Sequence, residues 1–181
     1  MVTFRDLWRG HPINHSVTTP CIAPADIVNL EGKSIKKGYP VFANQCAIRM
    51  GTALRRAGVT AEQIPGCAHC SVHPRTEMHF INANQLANAL AKAKLPGFGP
   101  LEKITGTEAA HFYPKIYGRT GAIFIQDYWR RSTDKGRPTG DHIDVWNGYR
   151  STSKWLMEWF SWLGYYSNYA DASEIWFWEI K

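Results

Sequence analysis

The chain has 181 residues, of which 44% are hydrophobic, 13% aromatic and 20% charged, enough apolar material to fill one domain's core and too little charge for wholesale disorder. No apolar run approaches the roughly 18 residues that cross a bilayer, so membrane insertion is not expected. The formal charge of +6 suits polyanions in general, but the densest basic stretch, Lys33-Ser34-Ile35-Lys36-Lys37, is short enough to be a solvated face, and charge alone selects no partner.

The opening Met1-Val2-Thr3-Phe4-Arg5-Asp6-Leu7-Trp8-Arg9 carries charges where an export signal has its apolar stretch, so no ordinary signal peptide is expected. Residues 3–10 read as a short amphipathic helix on Phe4, Leu7 and Trp8. Residues 11–43, with Pro12, Pro20, Pro24 and Pro40, read mostly as loops. The first firm helix is Cys46 to Ala57, since Cys46, Met50, Ala53, Leu54 and Ala57 recur at three and four residues and Gly58 stops it. After a loop-like 59–80, a second helix runs from Ala83 to Lys94, capped by Asn82 and ended by Pro96-Gly97. Gly121 to Trp129 reads as a strand, and Gly136 to Gly140 as a turn. His142 to Asn147 is a strand with Ile143 and Val145 on one side and His142, Asp144 and Trp146 on the other. Lys154 to Leu163 suggests an aromatic helix with Trp155, Trp159 and Phe160 facing a core, while Trp162, Tyr165 and Tyr166 are left for a cleft or partner surface. Glu174 to Ile180 closes the chain as a strand. Helices first and strands later indicate an α+β domain spanning 1–181, with a loop-rich part at 1–43.

Cys46 is the residue that suggests chemistry. Asn44 is a good N-cap, which puts Cys46 in the first helical turn, where unpaired N–H groups and the helix dipole favour negative charge. The thiolate is the reactive form of cysteine; a buried core cysteine needs none of this. Thiol catalysis also needs an imidazole to shuttle protons and a group to orient it. His142, at the start of a strand, meets the first need. Asp144 emerges on the same face about 6–7 Å along the strand, and either holds the imidazole or is a solvated charge on an open sheet face. The backbone N–H of Cys46 would stabilise the oxyanion.

Three blocks, Asn44-x-Cys46-Ala47-Ile48-Arg49-Met50, Gly118-Arg119-x-Gly121-Ala122-Ile123-Phe124 and Gly140-Asp141-His142-Ile143-Asp144-Val145-Trp146-Asn147-Gly148, resemble the type VI secretion amidase effectors of the fourth family, in order from Asn44 to the C-terminus. The resemblance implies a papain-like, NlpC-type cysteine-peptidase fold, with the helix bearing the nucleophile packed on an antiparallel sheet. It implies cleavage of the D-glutamyl–meso-diaminopimelate bond of peptidoglycan stem peptides, with Cys46 as nucleophile and His142 as base and no cofactor. It also implies synthesis in a bacterial cytoplasm, export by the type VI machinery, action in the periplasm of a target cell, and a cognate immunity protein as partner. The third residue departs from the pattern: the family's Asp, about eleven residues past the histidine, is here Ser153. Asp144 is the nearest acid on the right face, and Asp171 is more remote.

Other signals point elsewhere. Cys67-Ala68-His69-Cys70-Ser71-Val72-His73 has metal-ligand chemistry but no second separated pair, although His69, His73 and His79 could contribute. A disulfide between Cys67 and Cys70, two free thiols, or zinc all remain open, and Cys21 stands apart. His11, His15 and His111 have no evident partner and read as solvated loop residues. Two alternatives to the amidase effector follow: a housekeeping or phage wall hydrolase of the same fold, and a zinc-stabilised nucleic-acid-binding module.

Overall fold

In the computed structural model, residues 1–29, 32–129, 134–152 and 172–181 are described. Within these, the apolar spacing around Cys46 produces helix α2 (Cys46–Arg56), whose Cys46, Ala47, Met50, Ala53 and Leu54 are buried. The helix ends because Gly58 takes φ +86°, a conformation costly for any residue with a Cβ. Its N–H bonds to the Arg55 carbonyl at 3.0 Å while the Val59 N–H bonds to that of Leu54 at 3.0 Å, the paired closure of a Schellman stop. Helix α3 (Ala83–Ala93) starts where the Asn82 side chain accepts from the Gln85 N–H at 2.9 Å. It is ended by Lys94 in the left-handed region, φ 45°, before the expected Pro96-Gly97 is reached. Helix α1 (Phe4–Gly10), capped by Thr3, packs on α2.

The remaining regular structure is sheet. A two-stranded ribbon, β1 (Ile27–Val28) with β2 (Ser34–Ile35), lies within the stretch expected to be loop. The main sheet is antiparallel with order β3-β6-β4-β5, formed by β3 (Leu101–Thr105), β4 (Gly121–Trp129), β5 (Gly140–Trp146) and β6 (Glu174–Glu179). The sequence reading missed β3, because only Ile104 of its five residues is buried; its pairing with β6 holds it in the sheet. It also missed a 3₁₀ turn at Gly106–His111 and the short helix α4 (Tyr113–Ile116). The aromatic helix expected at 154–163, together with Tyr165, Tyr166, Ser153 and Asp171, lies outside the described residues.

Both faces of the sheet are covered, which explains the continuous apolar run in β4. Ala122 and Phe124 join Ile143, Val145, Trp176 and Trp178 against α2 and α3. Ile123 and Ile125 join Trp146, Ile175 and Phe177 beneath Phe112 and Ile116. Near its end β4 slips register against β5 between Ile125 and Trp129. Gly140 sits opposite Trp129, and a Cβ there would enter the indole ring. This irregular corner carries the start of β5 to the start of α2, where the site is built.

Candidate active site

Cys46 is the first residue of α2 and 7% exposed. Gln45, not Asn44, occupies the cap position, and it makes no side-chain cap bond. Asn44 lies one residue earlier, and its Oδ1 accepts from the Cys46 N–H at 3.2 Å. The N–H expected to serve an oxyanion is therefore already held by a side chain. The Cys46 Sγ lies 3.9 Å from the carbonyl oxygen of Asp141, and that oxygen also accepts from Trp129 Nε1 at 3.1 Å.

His142 and Asp144 alternate with Ile143 and Val145 along β5, and both are buried. His142 Nε2 is 3.3 Å from Asp144 Oδ2, which leaves Nδ1 for the thiol. Burial alone would drive the imidazole towards its neutral form. Hydrogen bonds with Asp144 and Cys46, and their charges, outweigh it and raise the His142 pKa to about 9. The imidazole is thus held protonated at neutral pH, the state an imidazolium–thiolate pair requires.

Asp144 is not a solvated charge on an open face: it is 1% exposed. Its Oδ1 accepts from the Val145 N–H at 2.8 Å and from the Thr152 hydroxyl in a short hydrogen bond. A further contact comes from the far N-terminus. His11, 1% exposed, hydrogen-bonds Thr152 Oγ1 through Nε2 at 3.4 Å and brings that nitrogen to 3.3 Å from Asp144 Oδ1, while its Nδ1 faces the Ile13 N–H at 3.4 Å. A ring that accepts at Nδ1 and donates at Nε2 is neutral. Burial, the dominant influence on it, lowers the His11 pKa to about 4 against the pull of Asp144. The expectation that His11 is a solvated loop residue is thereby corrected; His15 and His111 are exposed. Nothing in its loop sequence marks His11, since its partner Thr152 is 141 positions away. Arg49, one turn along α2, donates from Nε to the Thr18 carbonyl at 2.8 Å and sets its charge near both Asp144 and Cys46.

The glycine-bearing blocks of the sequence support this group from behind. Asn147 Oδ1 accepts from the N–H groups of Tyr149 and Arg150, each at 3.0 Å. Gly148 takes φ +96°, and the chain turns back so that the Thr152 N–H reaches the Val145 carbonyl at 3.0 Å. That reversal delivers the Thr152 hydroxyl to Asp144. Gly118 bonds through its N–H to the Gly148 carbonyl at 2.9 Å, and Arg119 bridges Glu102 and Glu179.

The Cys67–Cys70 segment divides. All four cysteines are free thiols, so the disulfide weighed for Cys67 and Cys70 is not formed. Cys67 Sγ points to the Gln85 carbonyl at 3.6 Å, whereas Cys70 lies against Cys21 and His73.

A mixed helix and antiparallel-sheet domain with a cysteine at a helix start brought to a strand histidine is the papain-like class of fold. A family model described as type VI secretion system (T6SS), amidase effector protein 4 (Tae4), matches residues 42–178. The chain belongs to this family, and it is a peptidoglycan amidase effector. No curated protein sequence matches it. Among solved structures, it resembles the Tae4 of the Salmonella typhimurium Tae4/Tai4 effector–immunity system at 15% identity and TM-score 0.58, covering 100% of this chain and 99% of that one. The Enterobacter cloacae Tae4–Tai4 complex is similar at 15% identity and TM-score 0.59, covering 100% and 99%. Tae4 from Enterobacter cloacae alone gives 14% identity and TM-score 0.56, covering 100% and 98%. At such identities these structures speak to the fold. The family match sets aside the alternatives of a housekeeping or phage wall hydrolase and a nucleic-acid-binding module. No helix among the described residues is long and apolar enough to cross a membrane.

Proposed function

We propose that this chain, acting as one domain over 1–181, hydrolyses the D-glutamyl–meso-diaminopimelate bond of peptidoglycan stem peptides by acyl transfer through Cys46. The observation that carries the reading is the meeting of Cys46, His142 and Asp144 in one buried group, in a member of an amidase effector family. With His142 protonated, the Cys46 thiolate attacks the amide carbonyl. The oxyanion takes the Cys46 N–H in place of Asn44, and the proton on His142 passes to the departing amine as the C–N bond breaks. His142 then removes a proton from water, which attacks the thioester and releases Cys46.

Asp144 does its work through Nε2 of His142, fixing the ring so that Nδ1 faces the sulfur. His11, Thr152 and the Val145 N–H are positioning groups that hold Asp144 in turn. The orienting acid thus sits two residues after the histidine, on the same strand. We place the reaction in the periplasm of a target cell, reached by type VI export, with a cognate immunity protein as inhibitor; the relatives from Salmonella typhimurium and Enterobacter cloacae were solved with Tai4 immunity proteins.

Purified sacculi incubated with wild type and with Cys46→Ala test the chemistry. Release by wild type alone is expected, and equal release by both sinks the reading. Expression in a susceptible cell with and without an added export signal tests the compartment: lysis only on export is expected, and equal lysis contradicts it.

A further inference from the structure

On the Ile48 side of α2, away from the amidase residues, Cys21, Cys70 and His73 converge. Cys21 Sγ is 3.4 Å from Cys70 Sγ and 3.6 Å from His73 Nδ1, and Cys70 Sγ is 3.3 Å from the same nitrogen. Both cysteines are buried and the histidine is half-buried. A tetrahedral zinc ion with bonds of about 2.3 Å to sulfur and 2.0–2.1 Å to nitrogen sets two sulfurs about 3.8 Å apart, and sulfur and nitrogen about 3.5 Å apart. The three donors match one face of that tetrahedron to within a few tenths of an ångström. A disulfide would need sulfurs at about 2.05 Å and would give the imidazole nitrogen no reason to stand equally close to both.

We propose that Cys21, Cys70 and His73 form a structural site for a zinc-class divalent cation. Two thiolates and an imidazole are the donor set such an ion selects. Water or a fourth side chain would complete the coordination. His79 lies nearby, its ring centroid 4.5 Å from that of His73 and its buried Nδ1 without a hydrogen-bond partner among the described residues, but its nitrogens fall outside the 4.8 Å cluster of the three donors. The ion joins two segments with little regular structure, the stretch carrying Cys21 and the loop carrying Cys70 and His73. It also braces the nucleophile, because the backbone of Cys21 is tied to the Gln45 side chain by bonds of 3.1 and 2.9 Å. Gln45 immediately precedes Cys46, so the ion steadies the start of α2 without touching the reaction.

The test uses full-length protein without a polyhistidine tag, made with zinc in the medium and purified under reducing, chelator-free conditions. Elemental analysis is expected to find about one zinc per chain in wild type and in Cys67→Ser, and little in Cys21→Ser or His73→Ala. Cobalt in place of zinc is expected to give a thiolate charge-transfer band and tetrahedral visible bands, both absent from His73→Ala. Should the variants not fold, the wild type decides: removing metal with a chelator lowers the melting temperature and zinc restores it. Wild type that takes up no zinc, with a melting temperature indifferent to chelator, overturns the proposal. So does a peptide map showing Cys21 joined to Cys70 in metal-free protein.

Discussion

Replacing Asp144 by asparagine preserves shape but removes the charge and turns one acceptor oxygen into a donating NH₂. Two donors meet Oδ1, from Thr152 and Val145, with His11 Nε2 3.3 Å away behind Thr152, and one meets Oδ2, from His142. An amide has one acceptor oxygen, and those two donors claim it. Its NH₂ then faces His142 Nε2, which must give up its proton and accept. The ring's remaining proton is forced onto Nδ1, opposite the thiol it should deprotonate. With the carboxylate gone, burial also pulls the His142 pKa down from about 9, because two of the influences that raise it come from Asp144. A trapped wrong tautomer of this kind costs about 10⁴-fold in kcat. The assay is the initial rate of muropeptide release from purified peptidoglycan between about pH 5 and 10, with a thermal melt to show that the variant is folded. A folded Asp144→Asn with kcat within about threefold of wild type, and an unmoved alkaline limb, would refute the assignment.

Removing the His11 ring (His11→Ala) takes the hydrogen-bond partner from Thr152, which holds Asp144, and leaves a buried void; we expect about tenfold lower kcat and about 2–4 kcal/mol lower stability, and a variant that loses stability with unchanged kcat would make His11 mere packing. Stability itself should peak near pH 6.5. His11, with its folded pKa lowered to about 4, contributes stability that is lost as pH falls from the ordinary 6.5 through 4. His142, raised to about 9, contributes stability present below 6.5 and lost as pH rises through 9. Each accounts for about 3 kcal/mol across its interval, and urea midpoints that are flat from about pH 4 to 9 contradict this. Gly51→Ala sets a helix-propensity gain of about 1 kcal/mol against a Cβ driven into the Met78 carbonyl and to 2.9 Å from the Phe80 ring. The clash wins, at a net cost of about 1–3 kcal/mol, since backbone cannot yield as a flexible side chain can; an unchanged melting temperature would show that α2 and the 78–80 segment separate freely.

Much of the frame is legible in the sequence because it rests on short-range periodicity. The three- and four-residue spacing around Cys46 and Leu86, and the apolar runs at Ala122–Ile125 and Ile175–Trp178, report local burial directly. The strand Leu101–Thr105 does not, because an edge strand with one buried residue carries almost no hydrophobic pattern and takes its conformation from β6. Strand alternation alone places His142 and Asp144 on one face, but that Asp144 is buried and meets the ring is seen only in the fold. His11 and Cys21 are illegible for another reason. A polar side chain in a Pro-rich stretch becomes buried only when the fold brings it a partner, and those partners, Thr152 and Cys70, lie 141 and 49 positions away. The oxyanion donor shows the limit of rules about helix starts: they locate the N–H of Cys46, but not the Asn44 oxygen already holding it at 3.2 Å.

The central claim is that Cys46, turned on by His142, opens one particular amide. Mass analysis of a peptidoglycan digest tests it most directly. The account predicts fragments cut between D-glutamate and meso-diaminopimelate with wild type and intact stem peptides with Cys46→Ala. The same fragments from both proteins, or cleavage by wild type at a different bond, would contradict it.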